Sequence, residues 1–155
     1  MGQAGLGFRE PTTLERAFNR VFGVLVGLGL APRDYYLLQV RGRKTGRVYS
    51  NPVSLVSFRG VRFLVAPRGR TQWVRNVEAS NQVVFKRGSS TERCRLRPLA
   101  DADKPPVLHA YVEKYGSVVQ RYFPVPAGSL PGAFAPIAAR YPVFELSATD
   151  TEARP

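Results

Sequence analysis

The chain has 155 residues, 44% of them hydrophobic, and a formal net charge of +12, which suits one folded domain with a real core and an anionic partner. One cysteine (Cys94) and one histidine (His109) exclude an internal disulfide and a thiolate- or imidazole-rich metal centre, and leave little room for a Ser-His-Asp triad. The first residues, MGQAGLGFREPTT, lack a basic start followed by an apolar run, so no export signal is expected and a cytoplasmic setting fits.

In chain order, TTLERAFNRVFGVLVGLGLAP predicts an opening helix over about 12–30. Thr12 and Glu15 have capping-box spacing, and Leu14, Phe18, Val21, Phe22 and Leu25 recur at helical intervals. The run Val21 to Ala31 is too short to span a bilayer but could touch an acidic membrane surface. DYYLLQV reads as a strand, RGRKTGR as a glycine-punctuated connection, and VYSNPVSLVSF as a second strand whose Pro52 implies an edge or a bulge. Arg59-Gly60 marks a tight turn into VRFLVAP.

RGRTQWVRNVEASN breaks the strand pattern, and Thr71 is placed to cap a short helix carrying Trp73 and Asn76 on one face. QVVFKRG and TERCRLRPL form a hairpin whose second arm is apolar on one face (Cys94, Leu96) and basic on the other (Arg93, Arg95, Arg97). A longer helix follows, with Asp101 or Asp103 near its start and Tyr111, Tyr115 and Tyr122 along it. Then come a proline-punctuated stretch, a last strand VFEL and a polar tail over 148–155. Three successive strands without crossover helices disfavour a parallel sheet. The order predicts an α+β fold, a small, mostly antiparallel barrel with packed helices, as one domain over 1–155.

From Tyr35 to Val77 there is no acid, while Arg41, Arg43, Lys44, Arg47, Arg59, Arg62, Arg68, Arg70 and Arg75 supply nine cations. The 41–47 loop offers four of them with glycine-freed backbone donors, suited to phosphate or carboxylate groups. A solvated loop guarding a strand edge is the plainer alternative. In APRGRTQWVRN a glycine-bearing loop runs into a helix N-terminus, which favours anions. Trp73 with Asn76 could hold a flat ring with polar edges, or be core and cap. Tyr111 and Tyr115 could line a pocket or supply a proton, or simply pack. With no carboxylate pair, Cys-His pair or metal cluster in view, hard chemistry would need a bound cofactor.

LLQVRGRKTGRVYSNPVSLV, FLVAPRGRTQWVRNVEA and ARYPVFEL, in that order between about Tyr35 and Leu146, resemble the deazaflavin-dependent nitroreductase family. The resemblance implies a split β-barrel of the FMN-binding type and the deazaflavin coenzyme F420, whose phosphodiester and oligoglutamate tail make it a polyanion; FMN is the second choice. Arg43, Lys44 and Thr45 match the family's phosphate-and-tail loop, with Arg47 and Arg41 adding charge. Tyr49, Ser50, Asn51, Pro52 and Val53 match the strand beside the ring. Ala66, Pro67, Arg68 and Gly69 match the next loop, and Gln72, Trp73, Arg75 and Asn76 the helix start completing the pocket. The implied reaction is hydride transfer to a nitroaromatic, quinone or activated alkene, with Tyr115 or Tyr111 as candidate proton donors. A non-catalytic binder of the same coenzyme or of a lipid or haem-like ligand, or a basic nucleic-acid or membrane-surface protein, are the alternatives. No helix-turn-helix or zinc-finger signature supports nucleic acid, and the resemblance leaves monomer or homodimer open.

Overall fold

A computed structural model describes residues 34–149. The expected opening helix and most of the polar tail lie outside the described residues. Six antiparallel strands close a barrel: β1 (Tyr35–Arg41), β2 (Val48–Phe58), β3 (Val61–Val65), β4 (Gln82–Arg87), β5 (Ser90–Pro98) and β6 (Val143–Ala148), in the order β1-β2-β3-β6-β5-β4. Helix α1 (Gln72–Ser80) separates β3 from β4, and α2 (Lys104–Val119) follows β5. The expected split β-barrel class is the one observed.

Strand alternation sorts the apolar residues into two layers. Leu38, Val53, Leu55, Leu64, Phe85, Cys94, Leu96 and Phe144 fill the barrel, and α1 lays Val74 and Val77 onto them. The opposite faces of β2, β3 and β6 present Val56, Phe63, Val65 and Val143 to α2, which answers with Val107, Leu108, Tyr111, Val112 and Tyr115. The proline-rich stretch after α2, read from sequence as a turn or two of helix, becomes a 3-10 segment over Pro131–Arg140. It completes the outer layer with Phe134 and Ile137, helped by Phe123 stacked on Tyr141 at 4.3 Å between centroids.

The β2–β3 connection is a two-residue hairpin with Arg59 (φ 51°) and Gly60 (φ 75°) both left-handed, the geometry that matches strand twist. The ladder between β1 and β2 runs unbroken through Leu37↔Pro52, so Pro52 makes no bulge. An edge makes it tolerable instead. β2 pairs with β1 along its length but with β3 only from Leu55 to Phe58, so residues 48–54 meet β1 alone. The Leu55 N–H reaches the Asp34 carbonyl, which turns even-numbered amides away from β1. Pro52 therefore lacks its N–H on the open side, where no ladder bond is lost.

Cys94 is fully buried, and burial pushes its thiol up to about 11. At pH 8 the folded protein is expected to react with an aromatic disulfide far more slowly than the guanidinium-unfolded chain, since the thiolate is the nucleophile. Equal rates in the two states would show that the barrel opens readily at β5.

Candidate functional site

The open half of β2 decides where the site lies. β3 ends at Val65, and the chain leaves the sheet through Ala66, whose N–H bonds the Pro142 carbonyl, into a turn closed by Gly69 N–H on the Ala66 carbonyl. From there α1 crosses toward β1. The start of α1 meets the 42–47 loop, and the stretch of β2 without a β3 partner begins where that loop ends; this junction is the candidate seam. Thr71 occupies the N-cap position in extended conformation, as expected, but its side chain does not cap. Its hydroxyl oxygen is buried and has no partner.

The loop is internally organised and tied to α1. Gly42 N–H donates to the Arg47 carbonyl at 2.6 Å and Gly46 N–H to the Gly42 carbonyl at 2.9 Å, while Arg41 Nη1 reaches the Gly46 carbonyl at 2.9 Å. Arg43 crosses to α1: its backbone N–H and its Nη1 both donate to Asn76 Oδ1, at 3.1 and 2.8 Å, and its Nη2 donates to Gln72 Oε1 at 3.0 Å. Asn76 is buried, so that amide oxygen is spent within the protein. Tyr49 lies with its ring over Gly42 and its hydroxyl 3.2 Å from Thr45 Oγ1. A Cβ at Gly42 would come within 2.5 Å of that ring, so only glycine allows this close approach. Gly42 was not among the candidates from sequence; as the first of two glycines bracketing the cations it carried a readable signal.

Lys44, Thr45, Arg47, Tyr49 and Ser50 are exposed, Asn51, Pro52 and Trp73 half-buried, and Val53 and Ala66 part of the barrel core. Pro67 and Arg68 are half-buried and Gly69 buried at the turn. Between the loop and α1 runs an open groove of about 510 Å³, lined by Arg43, Arg70, Arg75, Glu78 and Ala79. Arg70 is neutralised there by a bidentate pair with Glu78. Among the described residues, no carboxylate pairs with Arg43, Lys44, Arg47 or Arg75. A second cavity, about 320 Å³, lies against the C-terminal end of α1, with Arg95, Arg97 and Glu145 at its rim, and holds none of the candidates.

Tyr111 and Tyr115 are placed apart from this surface, 2% and 8% exposed beneath α2. Their hydroxyls turn to the barrel rather than to water: Tyr115 donates to the Leu55 carbonyl, and burial raises both phenols above the ordinary tyrosine value. They are poorer acids than a free phenol, and neither lines the groove or the cavity described above. His109 packs edge-on to Phe134 and lies near Glu113, on the far layer from the loop. Among the described residues no group of His, Cys, Asp or Glu could hold a metal ion.

The closed six-stranded antiparallel barrel with helices packed on it is a split β-barrel. Residues 10–125 match the family model for F420H(2)-dependent quinone reductase, and the chain belongs to that family. Members of that family are described as F420H(2)-dependent quinone reductases, oxidoreductases that use the deazaflavin coenzyme F420. No curated protein matches the chain. Among solved structures it is similar to a protein of unknown function from Agrobacterium tumefaciens, with TM-score 0.55 and 16% identity, over 83% of this chain and 54% of that one. The present chain thus spans about half of that protein. It is similar also to the heme storage protein HutZ of Vibrio cholerae (TM-score 0.53, 13% identity, 76% and 83% covered). A FAD-binding protein from Mesorhizobium loti gives TM-score 0.51 at 13% identity, over 84% and 89%. At such identities these likenesses establish the fold alone.

The seam fits F420 on its donor chemistry. A polyanionic tail needs cations whose charge is not already cancelled, and Arg43, Lys44, Arg47 and Arg75 meet that need, with backbone donors of a glycine-bounded loop beside them.

Proposed function

We propose that the protein holds reduced F420 along the seam between the 42–47 loop, the open half of β2 and α1, and reduces an electron-poor acceptor of the quinone, nitroaromatic or activated-alkene class. The observation that carries this reading is the pair of exposed cations Lys44 and Arg47, unmatched by carboxylates among the described residues, in the loop that leads into the stretch of β2 without a β3 partner. When bound, the coenzyme supplies a hydride from carbon 5.

Lys44 and Arg47 meet the phosphodiester and the glutamate carboxylates, and the Thr45 hydroxyl is near enough to share that duty. The half-strand from Tyr49 to Pro52, exposed at Tyr49 and Ser50 and half-buried beyond, offers a flat bed for the ring, with unpaired backbone groups able to bond its polar edge. On this reading Trp73, half-buried at the start of α1, completes the bed for the ring. Together they orient the ring, keep water from one face and leave the other face for the acceptor. Because Tyr111 and Tyr115 are buried and weakly acidic, the proton that completes the reduction comes from solvent.

The test is oxidation of reduced F420 by the purified protein with a naphthoquinone, a nitroimidazole or an enone as acceptor. Turnover that needs both protein and acceptor supports the reading, and the ranking of acceptors names the class. Tight coenzyme binding with no oxidation by any of the three would make the protein a carrier rather than a reductase.

A further inference from the structure

The cations of this protein are held in two different ways. Arg62 meets Glu92, Arg70 meets Glu78, Arg97 meets Glu145, Lys104 meets Asp101 and Lys114 meets Asp34. Arg43 is as firmly held as any of these, by three hydrogen bonds, yet both acceptors are neutral amides. An aspartate or glutamate at either place could give the same geometry and would cancel the charge. An amide supplies the geometry alone.

We propose that Asn76 and Gln72 are positioning residues rather than ligands: they fix Arg43 and the start of the loop while leaving the guanidinium charge free to face the anionic part of F420. This rests on the reading above of where the coenzyme sits. Asn76 is 6% exposed, and its oxygen already accepts both a backbone and a side-chain N–H from Arg43, so it is not waiting for a ring edge. Holding the loop in place before the coenzyme arrives removes an ordering cost from binding. The groove next to it follows the same logic. Arg70 is neutralised by Glu78 across the groove, while Arg75 is left unpaired among the described residues.

Asn76→Asp separates the two roles, because it keeps the acceptor oxygen and the side-chain shape while exchanging the amide NH2 for a second carboxylate oxygen and its charge. Asn76→Leu removes the acceptor. Each is compared with the wild type in F420 affinity by fluorescence titration at low and moderate salt, in thermal midpoint, and in hydrogen exchange of the Arg43 amide. For Asn76→Asp we expect a protected Arg43 amide and an undiminished midpoint, F420 bound about tenfold more weakly, and a shallower salt dependence. Asn76→Leu is expected to lose the amide protection and the affinity together.

F420 bound by Asn76→Asp as tightly as by the wild type would overturn the inference, since the Arg43 charge would then not be used. Loss of affinity in step with loss of Arg43 amide protection in Asn76→Asp would also overturn it, leaving a structural rivet only. Wild type that binds no F420 would overturn the functional reading as well, and that failure shows before any variant is compared.

Discussion

Replacing Lys44 and Arg47 together by alanine is expected to weaken F420 binding about a hundredfold, at about tenfold for each charge-assisted hydrogen bond removed, while leaving the thermal midpoint essentially unchanged. Both side chains are exposed and neither pairs with a carboxylate among the described residues, so the fold does not depend on them. Fluorescence titration of the coenzyme reads the first quantity and a melting curve the second. The plainer view of this loop, a basic guard on an open strand edge, expects the reverse. Under that view F420 affinity stays put, and the double variant self-associates with rising concentration, because residues 48–54 of β2 lack a β3 partner and would be free to pair with another chain. Sedimentation at two concentrations decides between them.

Phe134→Ala is expected to cost about 3–5 kcal/mol of folding stability, the usual range for emptying a buried aromatic site. Phe134 is 1% exposed and packs edge-on against both His109 and Phe123. Against a whole-domain stability of about 5–15 kcal/mol the loss is a large fraction, and the midpoint should fall by about 10–15 °C. F420 affinity, measured where the variant is still folded, should stay close to wild type, because Phe134 belongs to the layer under α2 and not to the seam. The opposite pattern, an intact midpoint with an altered acceptor KM, would mean that the proline-rich stretch works as a substrate lid. Its internal bonds argue for packing. Gln120 Nε2 donates to the Phe123 and Val125 carbonyls at 3.2 and 2.8 Å, its Oε1 accepts from Ala127 N–H at 2.9 Å, and Tyr141 donates to the Tyr122 carbonyl.

Much of the candidate site was legible in the residues themselves. The acid-free run from Tyr35 to Val77 stands out in one dimension, and the loop between two glycines is local enough that its turn chemistry can be read directly. Strand bounds followed for the same reason: β2 observed over Val48–Phe58 is the predicted VYSNPVSLVSF, since period-two alternation and the Arg59-Gly60 turn are short-range signals. Pro52 told of an edge, and an edge is there. Its alternative, a bulge, failed only because the register with β1 has no slip.

What needed the folded molecule was the direction of each side chain and the partner it found. From sequence, Asn76 could be a ring-holding amide or a cap; its burial against Arg43, 33 residues earlier, turns it inward. Tyr111 and Tyr115 sit at helical spacing that permits a pocket wall, a wet surface or a core. α2 settles on β2 and β3, and the hydroxyl of Tyr115 ends on a barrel carbonyl. Which cations stay charged toward a ligand was also a tertiary outcome. Arg70 and Arg75 look alike in the sequence, but the α1 turn brings Glu78 to Arg70 and leaves Arg75 without a carboxylate. Composition and alternation set where charge and apolar surface must go, because they act between near neighbours along the chain. Pairing, burial and the split between structural and available charge depend on interactions between distant segments, and those exist only once the barrel has closed.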